Sequence, residues 1–109
     1  MKLPITTITV SCDEGHLLDE CLSTLSFCAE RIVVDMASTD QTAQVAATHQ
    51  VRYLFSKRYP VIEYVRAQLL TEARHDWVLF VDPDERIPPL LQTDLLALFE
   101  QKKLDKVGI

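Results

Sequence analysis

Two carboxylates, Asp82 and Asp84, flank a single proline directly after the apolar run 77–81. Carboxylates this close repel each other unless a cation or a proton lies between them. Mg²⁺ and Mn²⁺ accept such hard oxygen ligands, usually one or two per protein site, and leave their other positions to water and substrate phosphates. The pattern therefore predicts a divalent metal that bridges the protein to a diphosphate, although Asp-Pro-Asp is also ordinary in solvated turns.

A third carboxylate, Asp35, ends the β-branched run 31–35 and is followed by Ser38-Thr39-Asp40-Gln41. The S-x-x-Q spacing is that of a capping box, which predicts that a helix begins at Ser38. A carboxylate beside such a helix end can accept hydrogen bonds from a nucleobase N–H or from ribose hydroxyls, while the helix end attracts the anionic part of a ligand. We therefore expect Asp35 to contact a ligand and Ser38 to cap the helix.

One arginine, Arg66, falls on the apolar side of a predicted helix. Apolar residues recur at helical spacing from residue 61 to about residue 74, and Arg66 lies within their stripe. A guanidinium directed towards the sheet needs an anion, so a phosphate or a strand-end carboxylate is the expected partner. The alternative is that its charged end reaches solvent along the apolar stem.

These side chains must be positioned by a fold in which strands alternate with helices. The predicted strands are 5–11, 31–35, 51–55 and 77–81, each followed by an amphipathic helical pattern. Such alternation indicates an α/β fold, a mostly parallel sheet of about four strands with helices on both faces. Ligands of open parallel sheets bind at the carboxyl ends of the strands, near the point where the strand order reverses. Three of the four strands are followed there by acidic residues.

Length and composition restrict the remaining possibilities. The 109 residues, 48% of them hydrophobic and 25% charged, predict a single globular domain over residues 1–109. With only two glycines, far apart at Gly15 and Gly108, neither a dinucleotide fingerprint nor a phosphate-binding P-loop can be built. The formal net charge of −5 does not favour nucleic acid as a partner. No apolar run is long enough for a membrane span or a signal peptide, which predicts a cytoplasmic protein.

Four segments occur along the chain in a characteristic order: ITTITVSCDE, ERIVVDMASTDQT, the arginine in VRAQLL, and WVLFVDPDER. Together, over residues 5–89, they resemble the N-terminal part of glycosyltransferase family 2, in particular the bacterial branch related to lipopolysaccharide core β-glucosyltransferases. The resemblance implies the Rossmann-like, nucleotide-sugar-binding half of a GT-A fold. It also implies metal-dependent transfer of a sugar, often from a UDP-linked donor, to an acceptor hydroxyl with inversion.

The resemblance assigns donor-binding roles to several acidic residues. Asp82 and Asp84 match the D-x-D motif, which contacts the donor ribose and the divalent metal, Mg²⁺ or Mn²⁺. Asp35 matches the position that contacts the nucleoside. Asp13 and Glu14 lie in the loop that borders the base. A nucleotide sugar, with UDP as its expected carrier, is therefore the implied partner.

Outside the acidic residues, Arg66 matches the arginine of the family's Q-R-N stretch, and Ala37 stands where the family has a glycine. The family's acceptor half and its catalytic base are expected beyond residue 109, so no catalytic residue is assigned here.

Two other classes of function stay open. A non-catalytic module could retain the half-fold and use its exposed sheet edge, which a missing C-terminal half would normally cover, to form a homodimer or to hold a partner. A phosphatase could use D-x-D as nucleophile and acid, but that chemistry usually places the motif after the first strand of its domain.

Overall fold

The computed structural model describes residues 2–57 and 68–100, which contain a four-stranded, wholly parallel sheet. The first part of the chain forms β1 (Leu3–Ser11), α1 (Gly15–Thr24), β2 (Cys28–Met36), α2 (Thr42–Thr48) and β3 (Arg52–Ser56). After a 3₁₀ turn (Leu70–Glu72), it forms β4 (Trp77–Phe80) and α3 (Pro89–Glu100). The predicted alternation of strands and helices in a parallel α/β sheet is confirmed.

The strand order is β3-β2-β1-β4, so the chain moves outwards from β1 to β3 and then crosses back to the other side of β1. The strand order therefore reverses between β1 and β4. Open parallel sheets form a crevice at the carboxyl ends of two such strands, because the connections leave them in opposite directions. Asp13 and Glu14 follow β1, and Asp82 and Asp84 follow β4, so the topology brings these residues to one crevice.

The two faces of the sheet are covered by different segments. Successive residues of a strand point to opposite faces. Val34 packs with Leu69, next to the 3₁₀ turn, whereas its neighbour Val33 packs with Leu18 of α1 and Ala46 of α2. Helices α1 and α2 therefore share one face, and Leu69 packs against the other.

Helix α3 lies on the same face as α1, near the start of the sheet. Its Leu95 clusters with Ile5 and Trp77, and the Trp77 ring meets Phe99 edge to face at a centroid distance of 5.7 Å. Aromatic pairs prefer this geometry. None of the helices within residues 2–57 and 68–100 is long and apolar enough to cross a membrane.

The predicted capping box is wrong, because α2 begins at Thr42 and not at Ser38. The Ser38 hydroxyl instead accepts a hydrogen bond from the backbone N–H of Asp13, at 2.9 Å. The carboxylate of Asp40 takes over part of the capping role, since it accepts from Thr42 N and from Gly15 N, both at 3.0 Å. One carboxylate thus joins the N-terminal ends of α1 and α2.

The predicted helix over residues 61–74 falls mainly outside the described residues, and so does Arg66. In the described part, the helical backbone gives way to the 3₁₀ turn and ends at Glu72, and Ala73 is extended with ψ at 135°. The helix therefore ends earlier than predicted, where the backbone N–H of Arg74 donates to Glu30 of the sheet at 2.9 Å.

We expect Gly15→Ala to destabilise the protein by about 1–3 kcal/mol, because a Cβ at this position overpacks the junction of α1 and α2. That Cβ would lie 3.0 Å from the backbone nitrogen of Thr42 and 3.2 Å from its Cα. Urea unfolding of the two proteins measures the difference. Alanine is the better helix former by about 1 kcal/mol, so a variant more stable than the wild type would contradict a close approach here.

Candidate functional site

The loop after β4 presents two carboxylates at the carboxyl edge of the sheet. The N–H of Val81 donates to the carbonyl of Ile8 at 3.1 Å, which extends the pairing with β1 up to the loop. The loop then turns sharply: Glu85 N donates to the Asp82 carbonyl at 2.9 Å, and Asp82 N donates to Glu85 Oε1 at 2.7 Å. Pro83 is buried, whereas Asp82 and Asp84 are exposed. The turn therefore holds Asp82 and Asp84 at the surface, in a fixed position relative to β1.

Glu14, the residue that precedes α1, lies within the electrostatic reach of this loop. Partial burial raises the pKa of Glu14, and the negative charges of Asp84 and Asp82 raise it further, partly opposed by His16. Three carboxylates from two loops thus share one field, in which a cation would be stabilised. Sequence reasoning assigned Glu14 to the base-binding loop, and the structure also places it near the D-x-D carboxylates.

The chemistry of these donors suits a divalent metal that protein groups ligate only in part. Within residues 2–57 and 68–100, no group of three or more His, Cys, Asp or Glu side chains is arranged to hold a metal ion. Mg²⁺ is commonly bound by one or two carboxylates together with water and substrate phosphates. Asp82 and Asp84 fit that incomplete set, which a diphosphate would complete.

The loop after β4 is attached to α1 by Arg86 and Cys21. The guanidinium of Arg86 donates to the carbonyls of Pro83 at 2.7 Å and Leu17 at 3.0 Å. The buried thiol of Cys21 donates to the Asp82 carbonyl at 3.5 Å. Burial raises the pKa of Cys21 to about 11, so the thiol keeps its proton at neutral pH. No pattern in the sequence indicates this hydrogen bond.

A second set of contacts joins the loop after β1 to the loop after β2. Asp13 Oδ1 accepts from the backbone N–H of Thr39 at 2.6 Å, and Asp13 itself has a φ of 55°. Ala37 also lies in the left-handed region, with a φ of 53°. A left-handed conformation costs a residue with a Cβ about 1 kcal/mol or more, so the glycine of the resembled family would be favoured there. The Asp13 carboxylate therefore stabilises the neighbouring loop, whatever else it contacts.

Asp35 is buried at the end of β2, with 2% of its surface exposed. Its Oδ1 accepts from Ser38 N at 2.8 Å, and its Oδ2 accepts from the hydroxyl of Tyr53. Burial, together with the hydrogen bond and the charge of Asp35, raises the pKa of Tyr53 to about 12, which keeps the phenol protonated as the donor. A ligand at Asp35 would therefore have to share or replace these partners.

Tyr53 is a residue that sequence reasoning missed. It pairs with Val33, two positions before Asp35, and so lies diagonally opposite the carboxylate on the same face of the sheet. The register of β2 and β3 could have revealed this pair, but register is not visible in the isolated strand pattern.

The candidate residues fall into two groups at the same edge. Glu14, Asp82 and Asp84 belong to the crevice between β1 and β4, and Asp13 and Asp35 surround the loop at residues 37–40. The sequence prediction treated them as one set. The structure separates them by their contacts, since Asp13 and Glu14 both follow β1 but Asp13 bonds to the loop after β2, whereas Glu14 lies near Asp82 and Asp84.

Comparison with known proteins gives one family and several relatives. Residues 6–108 match the family model described as glycosyl transferase family 2. The chain is 28% identical, over 92% of its length, to the lipopolysaccharide core biosynthesis glycosyltransferase LpsC of Rhizobium meliloti. It is 30% identical, over 97% of its length, to an uncharacterized glycosyltransferase of Rickettsia typhi. It covers 40% and 36% of these two proteins, so both extend well beyond the segment matched.

Solved structures resemble the fold over most of the chain. TarS of Staphylococcus aureus, residues 1–349 in complex with UDP, superposes with a TM-score of 0.70 at 27% identity, over 93% of this chain and 32% of that one. Glucosyl-3-phosphoglycerate synthase of Mycobacterium tuberculosis superposes with a TM-score of 0.72 at 21% identity, over 91% of this chain and 41% of that one. The predicted fold, the Rossmann-like part of a GT-A glycosyltransferase, is confirmed.

Proposed function

Because this chain belongs to glycosyl transferase family 2, we propose that it binds the nucleotide diphosphate of a sugar donor at the edge formed by Glu14, Asp82 and Asp84. The family resemblance predicted from the strand ends is confirmed. The observation that carries it is the pair of exposed carboxylates on a turn fixed against α1, in the negative field that also raises the pKa of Glu14. Such a site favours a cation that neutralises it and a phosphate that completes the cation's ligands.

The metal proposed for this edge is Mg²⁺ or Mn²⁺, held by Asp82 and Asp84. The TarS structure contains UDP, and one structure of the mycobacterial synthase contains Mn²⁺, UDP and glucosyl-3-phosphoglycerate. A bound divalent ion would stabilise the negative charge that develops on a diphosphate leaving group. The chain's own contribution is to hold two carboxylate oxygens at the crevice and to keep the turn between them rigid.

The nucleoside is proposed to lie beside the two loops joined by Asp13. In this arrangement Asp35 and Asp13 face the base and ribose, Asp82 contacts the ribose, and Arg66 pairs with the diphosphate. The protonated Tyr53 would hold the Asp35 carboxylate in place while a ligand N–H or hydroxyl uses the remaining lone pairs. Transfer of the sugar to an acceptor hydroxyl with inversion is proposed for the whole protein, since the relatives extend well beyond this segment.

Isothermal titration of the chain with UDP, in the presence of Mn²⁺, tests the proposal. We expect binding heat with Mn²⁺ or Mg²⁺, at least about tenfold weaker binding with excess EDTA, and weaker binding of UMP, because the diphosphate supplies metal ligands. UDP binding that is unchanged by EDTA would contradict the metal site. An absence of binding with either metal would contradict the proposed function.

A further inference from the structure

We propose that Arg86 is a positioning residue, which sets the place of the Asp82–Asp84 turn relative to the start of α1. The inference rests on the proposed function, because that function makes this turn the metal-binding element. No pattern in the sequence indicates the role, since Arg86 follows the acidic run as an ordinary surface residue would.

The contacts of Arg86 fall on both sides of the crevice. On the side of β4, Nη1 donates to the carbonyls of Pro83 at 2.7 Å and Glu85 at 2.8 Å. On the side of α1, Nη2 donates to the carbonyl of Leu17 at 3.0 Å, and Nε lies 3.2 Å from Glu20 Oε2. Arg86 therefore joins its own loop to a main-chain carbonyl that lies 69 positions earlier in the sequence.

The geometry requires a guanidinium at this position. Its five N–H donors lie in one plane in a fixed fork, so the two carbonyls it joins are held at a set separation. Lysine has a single ammonium on a flexible stem, so it is less suited to fix both carbonyls in one geometry. Glu20 is largely exposed, with 81% of its side chain accessible, so the ion pair adds little and the carbonyl contacts carry the effect.

The consequence concerns the three carboxylates at the crevice. Pro83 lies between Asp82 and Asp84, and Leu17 lies in the first turn of α1, three residues after Glu14. The two hydrogen bonds from the Arg86 guanidinium to the carbonyls of Pro83 and Leu17 therefore hold the D-x-D turn next to Glu14. Partners that orient metal ligands in this way typically change metal affinity by about 10- to 100-fold when removed.

The test compares Arg86→Gln with Arg31→Gln in the full chain, by titration with UDP and Mn²⁺. Arg31 is a matched control, because it also donates to two main-chain carbonyls, Leu22 at 2.9 Å and His49 at 2.7 Å. These carbonyls lie near the C-terminal ends of α1 and α2, away from the crevice. We expect Arg86→Gln to weaken Mn²⁺-dependent UDP binding about tenfold or more, and Arg31→Gln to leave it within about twofold while lowering stability. Equal affinities for Arg86→Gln and the wild type would overturn the proposal.

Arg86→Lys separates geometry from charge, and it also serves if Arg86→Gln fails to fold. We expect the lysine variant to recover only part of the lost affinity, since it keeps the charge but loses the fork. Wild-type affinity in Arg86→Lys would show that the fork is not needed, which overturns the proposal.

Amide hydrogen exchange distinguishes a failure of the positioning role of Arg86 from a failure of the proposed function. If the wild type does not bind UDP with Mn²⁺, the proposed function fails, and exchange at Asp82 and Glu85 still tests the placement of the turn. Faster exchange of these two amides in Arg86→Gln, with α1 unchanged, supports the positioning role. Unchanged exchange there overturns it.

Discussion

Replacing Asp84 by asparagine is expected to weaken Mn²⁺-dependent UDP binding by about 100-fold or more, equivalent to about 2.7 kcal/mol. Asparagine keeps the size of the side chain and one oxygen, but it removes the negative charge that a divalent cation requires. Asp84 is exposed, so the loss falls on binding and leaves the core intact. Isothermal titration with UDP at fixed Mn²⁺ measures it, and thermal unfolding checks that the variant is folded.

Asp94→Asn is the matched control, because Asp94 is an exposed aspartate on α3 and the substitution changes the net charge equally. We expect this variant to bind UDP as the wild type does. If both variants lose affinity to the same extent, net charge and not the crevice controls binding. If neither does, Asp84 has no part in holding the metal.

Glu30→Gln is expected to lower the free energy of unfolding by about 2–4 kcal/mol at neutral pH. Glu30 is buried, with 7% of its side chain exposed, and it accepts from Thr6 Oγ1 at 2.8 Å and Arg74 N at 2.9 Å through one oxygen. Its other oxygen accepts from Arg52 at 2.9 Å. The amide group of the glutamine would direct an N–H towards the guanidinium of Arg52, so the hydrogen bond between residues 30 and 52 is lost. The segment after the 3₁₀ turn is then held less firmly against the sheet. Urea unfolding measures the change.

Glu72→Gln provides the control for this prediction. Glu72 also contacts Arg52, at 3.3 Å, but 43% of its side chain is exposed. Exposed ion pairs contribute little, so this substitution should cost less than about 1 kcal/mol. A cost for Glu30→Gln no larger than that of Glu72→Gln would show that burial at the sheet does not strengthen the contact.

Glu30 also accounts for part of the loss of stability that we expect at acidic pH. Burial alone would raise the pKa of Glu30, but the hydrogen bonds from Arg74, Thr6 and Arg52 outweigh it and hold the pKa below the ordinary value of a glutamate. A carboxylate whose pKa is depressed on folding stabilises the protein above its unfolded pKa and loses that contribution as the pH falls through the folded value. As the pH is lowered past about 4.5, the free energy of unfolding of the wild type should therefore decrease more steeply than that of Glu30→Gln.

The strands and the loops that follow them were predictable, because they depend on the local pattern of apolar and polar residues. The runs at residues 5–11 and 77–81 are apolar or β-branched and end at acidic residues, which places strands and loops without knowledge of the fold. Boundaries were less accurate: β2 begins at Cys28, three residues before the predicted start, and so includes the buried Glu30. From the sequence alone a charged residue in a strand is expected to face solvent, and the partners of Glu30, which are Thr6, Arg52 and Arg74, come from other segments of the chain.

The capping box at Ser38 failed for a related reason. The local pattern was correct for a helix start, but the serine hydroxyl bonds to Asp13, which is 25 positions earlier in the chain. Asp40 then bonds to Thr42 and Gly15, and the helix begins later. Tertiary contacts of this kind override local propensity, because a loop residue can satisfy either its own helix or a neighbouring loop.

For the candidate site, the residue types and the edge of the sheet follow from the sequence alone. Acidic residues after parallel strands must collect at one edge, because all the strands end there. What required the three-dimensional arrangement is the set of partners: Tyr53 for Asp35, Thr39 for Asp13, and Arg86 for the D-x-D turn. A hydrogen bond depends on distances of about 3 Å and on direction, and residues far apart in the chain reach such geometry only after the strands have paired and the helices have packed.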